Sequence, residues 1–373
     1  MTFRFIHASD LHIGRRFANI PEGPDTNLRG RLMEARHMSL ARLAQAARDQ
    51  GAVHVVLAGD TFDTPTPTAA LLRQAVGAMK DADDITWWLL PGNHDNLREA
   101  EPLWETLTRE APANLRALTE ATPRQMAAGV FLLPAPIQWR AQVEDPSTVL
   151  DVMATPEGAT RIGLAHGGIT DFTDEGGAIA PDRDTRAGLD YLALGDWHGR
   201  MAVSARTHYS GTPEQDRFKH DRRGLCLSVT LDGAPDVREI ETGQFLWQDL
   251  ELDLTAQQDS AAALAACLPP QGRRDILVRV TARGWTTLPG QFALGEMAKA
   301  QSPEFAHFVL REDGLSVQYA SDDLDEIDHG GALRQAAEAL KSEFDDDRLA
   351  QSERAIAGDA LARLYGYMRE DMP

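Results

Sequence analysis

The feature that most constrains this chain is a series of short apolar segments, each running straight into an acidic, imidazole or carboxamide side chain. Val53 to Ala58 is a near-continuous apolar run between Gly51 and Gly59, and Asp60 follows at once. A run of that length, bounded by glycines, reads as a strand buried on both faces. Phe3 to His7 is a second strand candidate and leads into Ser9-Asp10-Leu11-His12. Ile85 to Leu90 is a third, closed by Pro91-Gly92 ahead of Asn93-His94-Asp95. Between them, residues 28–49 carry Leu32, Met33, Leu40, Leu43, Ala44 and Ala47 near the helical period, and a second helical pattern covers about 67–82. Further strand candidates are Val130–Leu133, Arg161–Ala165, Tyr191–Leu194, His208–Ser210 and Leu225–Leu231. The pattern is α/β in the first third and strand-rich afterwards (α/β, or α+β overall).

Five short motifs sit just past strand ends, where α/β proteins build their sites. They are Asp10-Leu-His12, Gly59-Asp60-Thr-Phe-Asp63, Gly92-Asn93-His94-Asp95, Ala165-His166-Gly167 and Gly195-Asp196-Trp197-His198. Carboxylate oxygens mixed with imidazoles suit Mn²⁺, Fe²⁺ or Zn²⁺ better than Ca²⁺. The donors are too many for one ion and enough for two that share a carboxylate. Two ions about 3.5–4 Å apart are a known device for splitting phosphate esters.

In order, these motifs resemble the calcineurin-like metallophosphoesterase superfamily. His7-Ala-Ser-Asp-Leu-His-Ile-Gly14, Ala58-Gly-Asp-Thr-Phe-Asp63, Ala193-Leu-Gly195 and Tyr209-Ser-Gly-Thr-Pro213 are closest to the SbcD-type DNA repair exonucleases. The matched span is about residues 3–221. The resemblance implies a metallophosphoesterase β-sandwich flanked by helices. It implies that Asp10, His12 and His198 hold one ion, that Asn93, His166 and Asp196 hold the other, and that Asp60 bridges them. Mn²⁺ is the expected metal, with Mg²⁺, Fe²⁺ and Zn²⁺ as alternatives. His94 would act on the phosphate and the leaving oxygen, with Asp95 orienting its ring, in a hydrolysis by metal-activated hydroxide. One position departs from the family pattern. Gly-His-x-His is usual where this chain has Gly195-Asp196-Trp197-His198, so a carboxylate replaces an imidazole and favours harder ions such as Mn²⁺ or Mg²⁺.

Candidate substrate contacts are Arg15 and Arg16 after the first motif, Arg200 after the last, Tyr209, and Arg217 and Lys219 in the basic cluster after Tyr209-Ser-Gly-Thr-Pro213. The resemblance implies DNA as substrate and an SbcC-like coiled-coil ATPase as partner, with a second copy of the chain as a further candidate. A metallophosphatase or nucleotide phosphodiesterase is the alternative. A non-catalytic subunit of an ATPase–DNA complex is the third reading.

Beyond about residue 240 the motifs stop. Strand patterns near 245–254, 275–283 and 304–320 and helical patterns near 258–268 and 330–366 suggest a different unit. The expected division is a catalytic domain over 1–240 and an α+β capping domain with a helical tail over 241–373. Residues 321–373 carry 14 Asp+Glu against 6 Lys+Arg, a net −8 within a whole-chain charge of −20. That charge argues against general electrostatic coating of nucleic acid. Two cysteines exclude a disulfide framework. No run reaches the ~18 apolar residues of a membrane span. The N-terminal segment has no signal-peptide pattern, so the expected location is cytoplasmic.

Overall fold

The computed structural model describes residues 2–21, 27–169, 177–319, 327 and 331–370. They form two compact units, Met1–Trp247 and Gln248–Pro373.

The first unit is built on two six-stranded sheets. In one, β1 (Phe3–Ala8), β2 (His54–Leu57), β3 (Thr86–Leu89) and β4 (Leu115–Ala117) run parallel, and β11 (Leu225–Leu231) and β12 (Pro235–Glu241) continue antiparallel from β1. The other follows the order β5 (Arg124–Ala127), β6 (Val130–Pro134), β7 (Thr160–His166), β8 (Tyr191–Gly195), β10 (Thr207–Tyr209) and β9 (Met201–Ala202). β6, β7 and β8 are parallel.

Period-two alternation explains how the sheets stack. Along β1, Phe3 and Phe5 join Val56, Trp88, Leu132, Ile162, Tyr191 and Val229 in a core between the two sheets. Ile6 and Ala8 point the other way. They meet Leu40 and Leu43 of α2 (Ser39–Asp49), Met79 of α3 (Ala69–Asp81) and Trp104 of α4 (Glu101–Arg109). The far face of the second sheet is covered by Leu150, Met153, Ile179 and Leu189, and a single turn of helix, α5 (Arg183–Arg186), lies between the last two in sequence. This is a β-sandwich flanked by helices, and it explains why the central strands read as solid apolar runs.

The helical pattern over 28–49 divides at Met38 into α1 (Leu28–His37) and α2. Arg36 of α1 is fully buried. Its guanidinium donates to the Glu214 carbonyl at 2.8 Å and stands 3.9 Å from the Asp216 carboxylate. Trp87 and Trp88 are core residues, as their place in a buried strand suggests.

The second unit carries a three-stranded sheet of β13 (Leu246–Leu254), β14 (Ile276–Thr287) and β15 (His307–Gln318). It also holds α6 (Ser260–Cys267), α7 (Leu288–Gln301), α8 (Ala332–Asp345) and α9 (Gln351–Glu370). Leu288, Ile327, Ala337, Leu361 and Tyr365 form a small core of their own. Positions 321–326, 328–330 and 371–373 of the acidic stretch lie outside the described residues. Among the described residues, no helix is long and apolar enough to cross a membrane.

Candidate metal centre

The parallel strands β1, β2, β3, β7 and β8 deliver the five motifs from their carboxyl ends. The first two motif loops are zipped together by backbone hydrogen bonds. Asp10 N donates to Gly59 O at 3.1 Å, His12 N to Asp60 O at 3.0 Å, and Ile13 N to Thr61 O at 2.9 Å. That ladder holds an unusual backbone. Asp10 (φ 57°), His12 (φ 43°), Asp60 (φ 54°) and Asp196 (φ 100°) all have positive φ, and Phe17 is the one other non-glycine residue that does among those described. Such conformations cost on the order of 1–3 kcal/mol each and persist where the surroundings over-determine them. The four strained residues are also four predicted ligands, which singles out these strand ends as the candidate site. Gly59 is obligatory here. Its φ is +88°, and a Cβ would press on the His166 ring and lie 2.9 Å from Gly92 Cα.

Three imidazoles each have a partner atom behind the ring, a hydrogen bond for His166 and His198 and an ion-pair contact for His12. His166 Nδ1 donates to the Ala58 carbonyl at 2.7 Å. A carbonyl only accepts, so Nδ1 carries the proton and Nε2 presents its lone pair. His12 Nδ1 faces the Asp63 carboxylate at 3.3 Å, and His198 Nδ1 faces the Asp216 carboxylate at 3.1 Å. Their Nε2 atoms then converge, 3.1 Å apart.

The carboxylates complete the cluster. Asp60 Oδ1 accepts from the His94 amide at 2.8 Å. Its Oδ2 lies 3.6 Å from His12 Nε2 and 3.6 Å from His166 Nε2, so one oxygen stands between the two ligand groups. Asp10 Oδ1 is 3.7 Å from His198 Nε2. Asp196 Oδ1 is 3.8 Å from His166 Nε2 and 3.4 Å from Asn93 Nδ2. The ligand atoms of Asp10, His12 and His198 lie within 4.8 Å of one another, as do those of Asp10, Asp60 and His166. His94 falls at the same range from His12 and Asp60.

This donor set fits divalent cations. Among the described residues, buried His166 Nε2 and Asn93 Oδ1 have no hydrogen-bond partner, although both belong to groups that normally find one. Burial pushes the Asp60 carboxyl well above its ordinary value, and the Asp95 and Asp10 charges add to the effect. Burial also raises Asp196. Burial opposes the charged form of His166, but Asp60, Asp10 and Asp196 outweigh it and raise the imidazole to about 9. The same field that favours a proton on His166 favours a cation in its place.

The remaining predicted residues divide. His94 Nδ1 pairs with the Asp63 carbonyl at 2.8 Å, so the contact expected from Asp95 is made by a backbone oxygen. The Asp95 carboxylate instead accepts from Gly92 N at 2.7 Å and Phe62 N at 3.0 Å, which pins two motif loops together. Tyr209 is fully buried and donates to the Gly167 carbonyl at 2.7 Å, which makes it a core residue. Arg200 is spent on Glu239 at 3.1 Å and on the Tyr209 carbonyl. Arg217 and Lys219 do rim a cleft of about 260 Å³ that contains Asp60, Asn93, His94, Asp196 and His198. Lys219 Nζ stands 4.2 Å over the Trp197 ring. Arg15 and Arg16 line a second cleft, which adjoins the site at Asp63.

Two contributors lie outside the predicted ligand set, one of them in the second motif. Asp63 supplies its carboxylate to His12 and its carbonyl to His94. Asp216 supplies its carboxylate to His198. The one signal for Asp216 in the sequence is its place just after Tyr209-Ser-Gly-Thr-Pro213.

The Calcineurin-like phosphoesterase family matches residues 3–222, more than half of the chain, and the chain belongs to that family. Its donor set fits the divalent cations on which metallophosphoesterases depend. An uncharacterized metallophosphoesterase of Bacillus subtilis, YhaO, is 24% identical over 69% of this chain and 65% of its own length. A subunit of the SbcCD nuclease of the same organism is 26% identical over 67% of this chain and 69% of its own. The chain thus aligns with about two thirds of each relative. The crystal structure of TT1561 from Thermus thermophilus superposes with a TM-score of 0.40 at 10% identity, over 64% of this chain and 99% of that one.

Proposed function

We propose that this protein hydrolyses phosphodiester bonds in DNA at a two-cation centre. Asp10, His12 and His198 would hold one ion, Asn93, His166 and Asp196 the other, and Asp60 would bridge them. The observation that carries the reading is Asp60 Oδ2, equidistant at 3.6 Å from an imidazole of each group. Bound there, two divalent cations supply Lewis-acid charge for the phosphate and lower the pKa of a coordinated water. The protein's own part is orientation and proton handling. His94 Nδ1–H is committed to the Asp63 carbonyl, so Nε2 is the atom that holds or delivers a proton at the leaving oxygen. Arg217 and Lys219 at the rim place positive charge beside a bound phosphate.

DNA is favoured over a small substrate by the likeness to a nuclease subunit and by the second cleft with Arg15 and Arg16. The unit Gln248–Pro373 would act as a cap over nucleic acid. A chain of net charge −20 holds DNA weakly on its own, which is a reason to expect a delivering partner such as an SbcC-like coiled-coil ATPase. The test is Mn²⁺-dependent digestion of end-labelled single- and double-stranded DNA, run beside an aryl phosphodiester and an aryl phosphomonoester. Cleavage of DNA and of the diester is expected. Cleavage of the monoester alone would assign a phosphatase instead.

Asp196 makes a separate prediction. A carboxylate at this position favours hard ions. Asp196→His should move the metal giving the highest rate from Mn²⁺ or Mg²⁺ toward Zn²⁺. An unchanged ranking across a metal titration would show that Asp196 does not set the preference.

A further inference from the structure

Asp216 has no place in the ligand set, yet three arginines and one imidazole converge on its carboxylate. It is buried at 2% exposure in the loop after β10. Its carboxylate meets Arg15 Nη1 at 3.1 Å, Arg36 Nη2 at 3.9 Å, and Arg217 Nε at 2.9 Å and Nη2 at 3.1 Å. Those arginines come from the first motif loop, from α1 and from its own loop. Both carboxylate oxygens also face His198 Nδ1, at 3.1 and 3.2 Å.

A buried carboxylate in that position has a definite use. A ligating imidazole needs its second ring nitrogen held by an acceptor, which fixes ring angle and tautomer together. Arg217 Nη2 also lies 3.1 Å from His198 Nδ1, so a donor competes with the carboxylate there. A guanidinium has no acceptor and would force the proton onto Nε2, the atom needed for the metal. Arg217 is nonetheless turned toward the carboxylate through two of its nitrogens, which leaves the carboxylate as the stronger partner for the ring.

We propose that Asp216 is the positioning residue of the first cation site, holding His198 as its Nδ1–H tautomer with Nε2 directed at the ion beside Asp10. The inference rests on the two-cation reading above. It also gives two predicted substrate contacts a second task, since Arg15 and Arg217 clamp Asp216 as well as lining the clefts.

The test uses the full chain. Mn²⁺ binding is measured by calorimetry for the wild type and for Asp216→Asn, which keeps the shape and removes the charge. Two ions should bind the wild type, and the variant should lose about 10- to 100-fold in affinity for one of them. Equal affinities would overturn the role of Asp216 and leave the metal centre standing. Absence of Mn²⁺ binding to the wild type would overturn both. Should Asp216→Asn fail to fold, long-range ¹⁵N–¹H spectra of the metal-free wild type at mildly alkaline pH decide the point. A proton on His198 Nδ1 is expected. A bare Nδ1 with the proton on Nε2 would overturn the proposal.

Discussion

Replacing Asp60 by alanine is expected to lower phosphodiester hydrolysis by on the order of 10³-fold or more, about 4 kcal/mol of transition-state stabilisation. The size follows from its double duty. One oxygen receives the His94 amide, and the other stands between His12 and His166. Removing it takes away the atom shared by both ligand groups and the anchor of the His94 loop. The variant should also bind fewer Mn²⁺ ions than the wild type. Assays at saturating and limiting Mn²⁺ separate the two losses, because a metal-affinity defect is recovered at high Mn²⁺ and a lost bridge is not. Full activity in Asp60→Ala would mean that the shared oxygen is not part of the chemistry.

The second large effect belongs to His94. His94→Gln should leave Mn²⁺ affinity within a few-fold of wild type, because His94 is not placed among the expected ligands. It should lower kcat on DNA by about 10²–10⁴-fold, the range of a positioned general acid. The dependence on leaving group is the more telling result. A deoxyribose oxygen is a poor leaving group and needs a proton, whereas a nitrophenolate needs little help. The loss should therefore be much smaller on an aryl diester than on DNA. Equal losses on both would point to phosphate binding as the role of His94. A collapse of Mn²⁺ affinity would make it a ligand.

The features legible in the sequence share one physical cause. A strand buried on both faces must be apolar throughout, so polar residues pile up where it ends, as at Ala58-Gly59-Asp60 and Ala193-Leu-Gly195-Asp196. Strand positions and strand-end motifs are therefore readable together. The break at Met38 is not, because the apolar period continues from Leu32 to Leu40 with no glycine or proline between. Residue neighbourhood misleads in one place. Asp95 follows His94 in the chain, but its side chain turns back to Gly92 and Phe62 while the ring meets Asp63. Burial decides the fate of the basic and aromatic candidates. Arg200 and Tyr209 lie close to the motifs in sequence and are consumed by internal hydrogen bonds, a pairing that spans strands and leaves no local pattern. Asp216 is hidden for the same reason, since its partners come from residues 15, 36 and 198.

The unusual backbone links these observations. Loops that force Asp10, His12, Asp60 and Asp196 to positive φ give up stability to hold donors in fixed directions. Preorganisation of that kind matters most when charge develops during a reaction, because no further rearrangement is needed.

The central claim is a pair of cations sharing Asp60. Electron paramagnetic resonance of the protein loaded with Mn²⁺ to saturation tests it most directly. Two Mn²⁺ per chain with an exchange-coupled spectrum are expected, with loss of the coupling in Asp60→Ala. One Mn²⁺ per chain, or two that give uncoupled signals in the wild type, would contradict it.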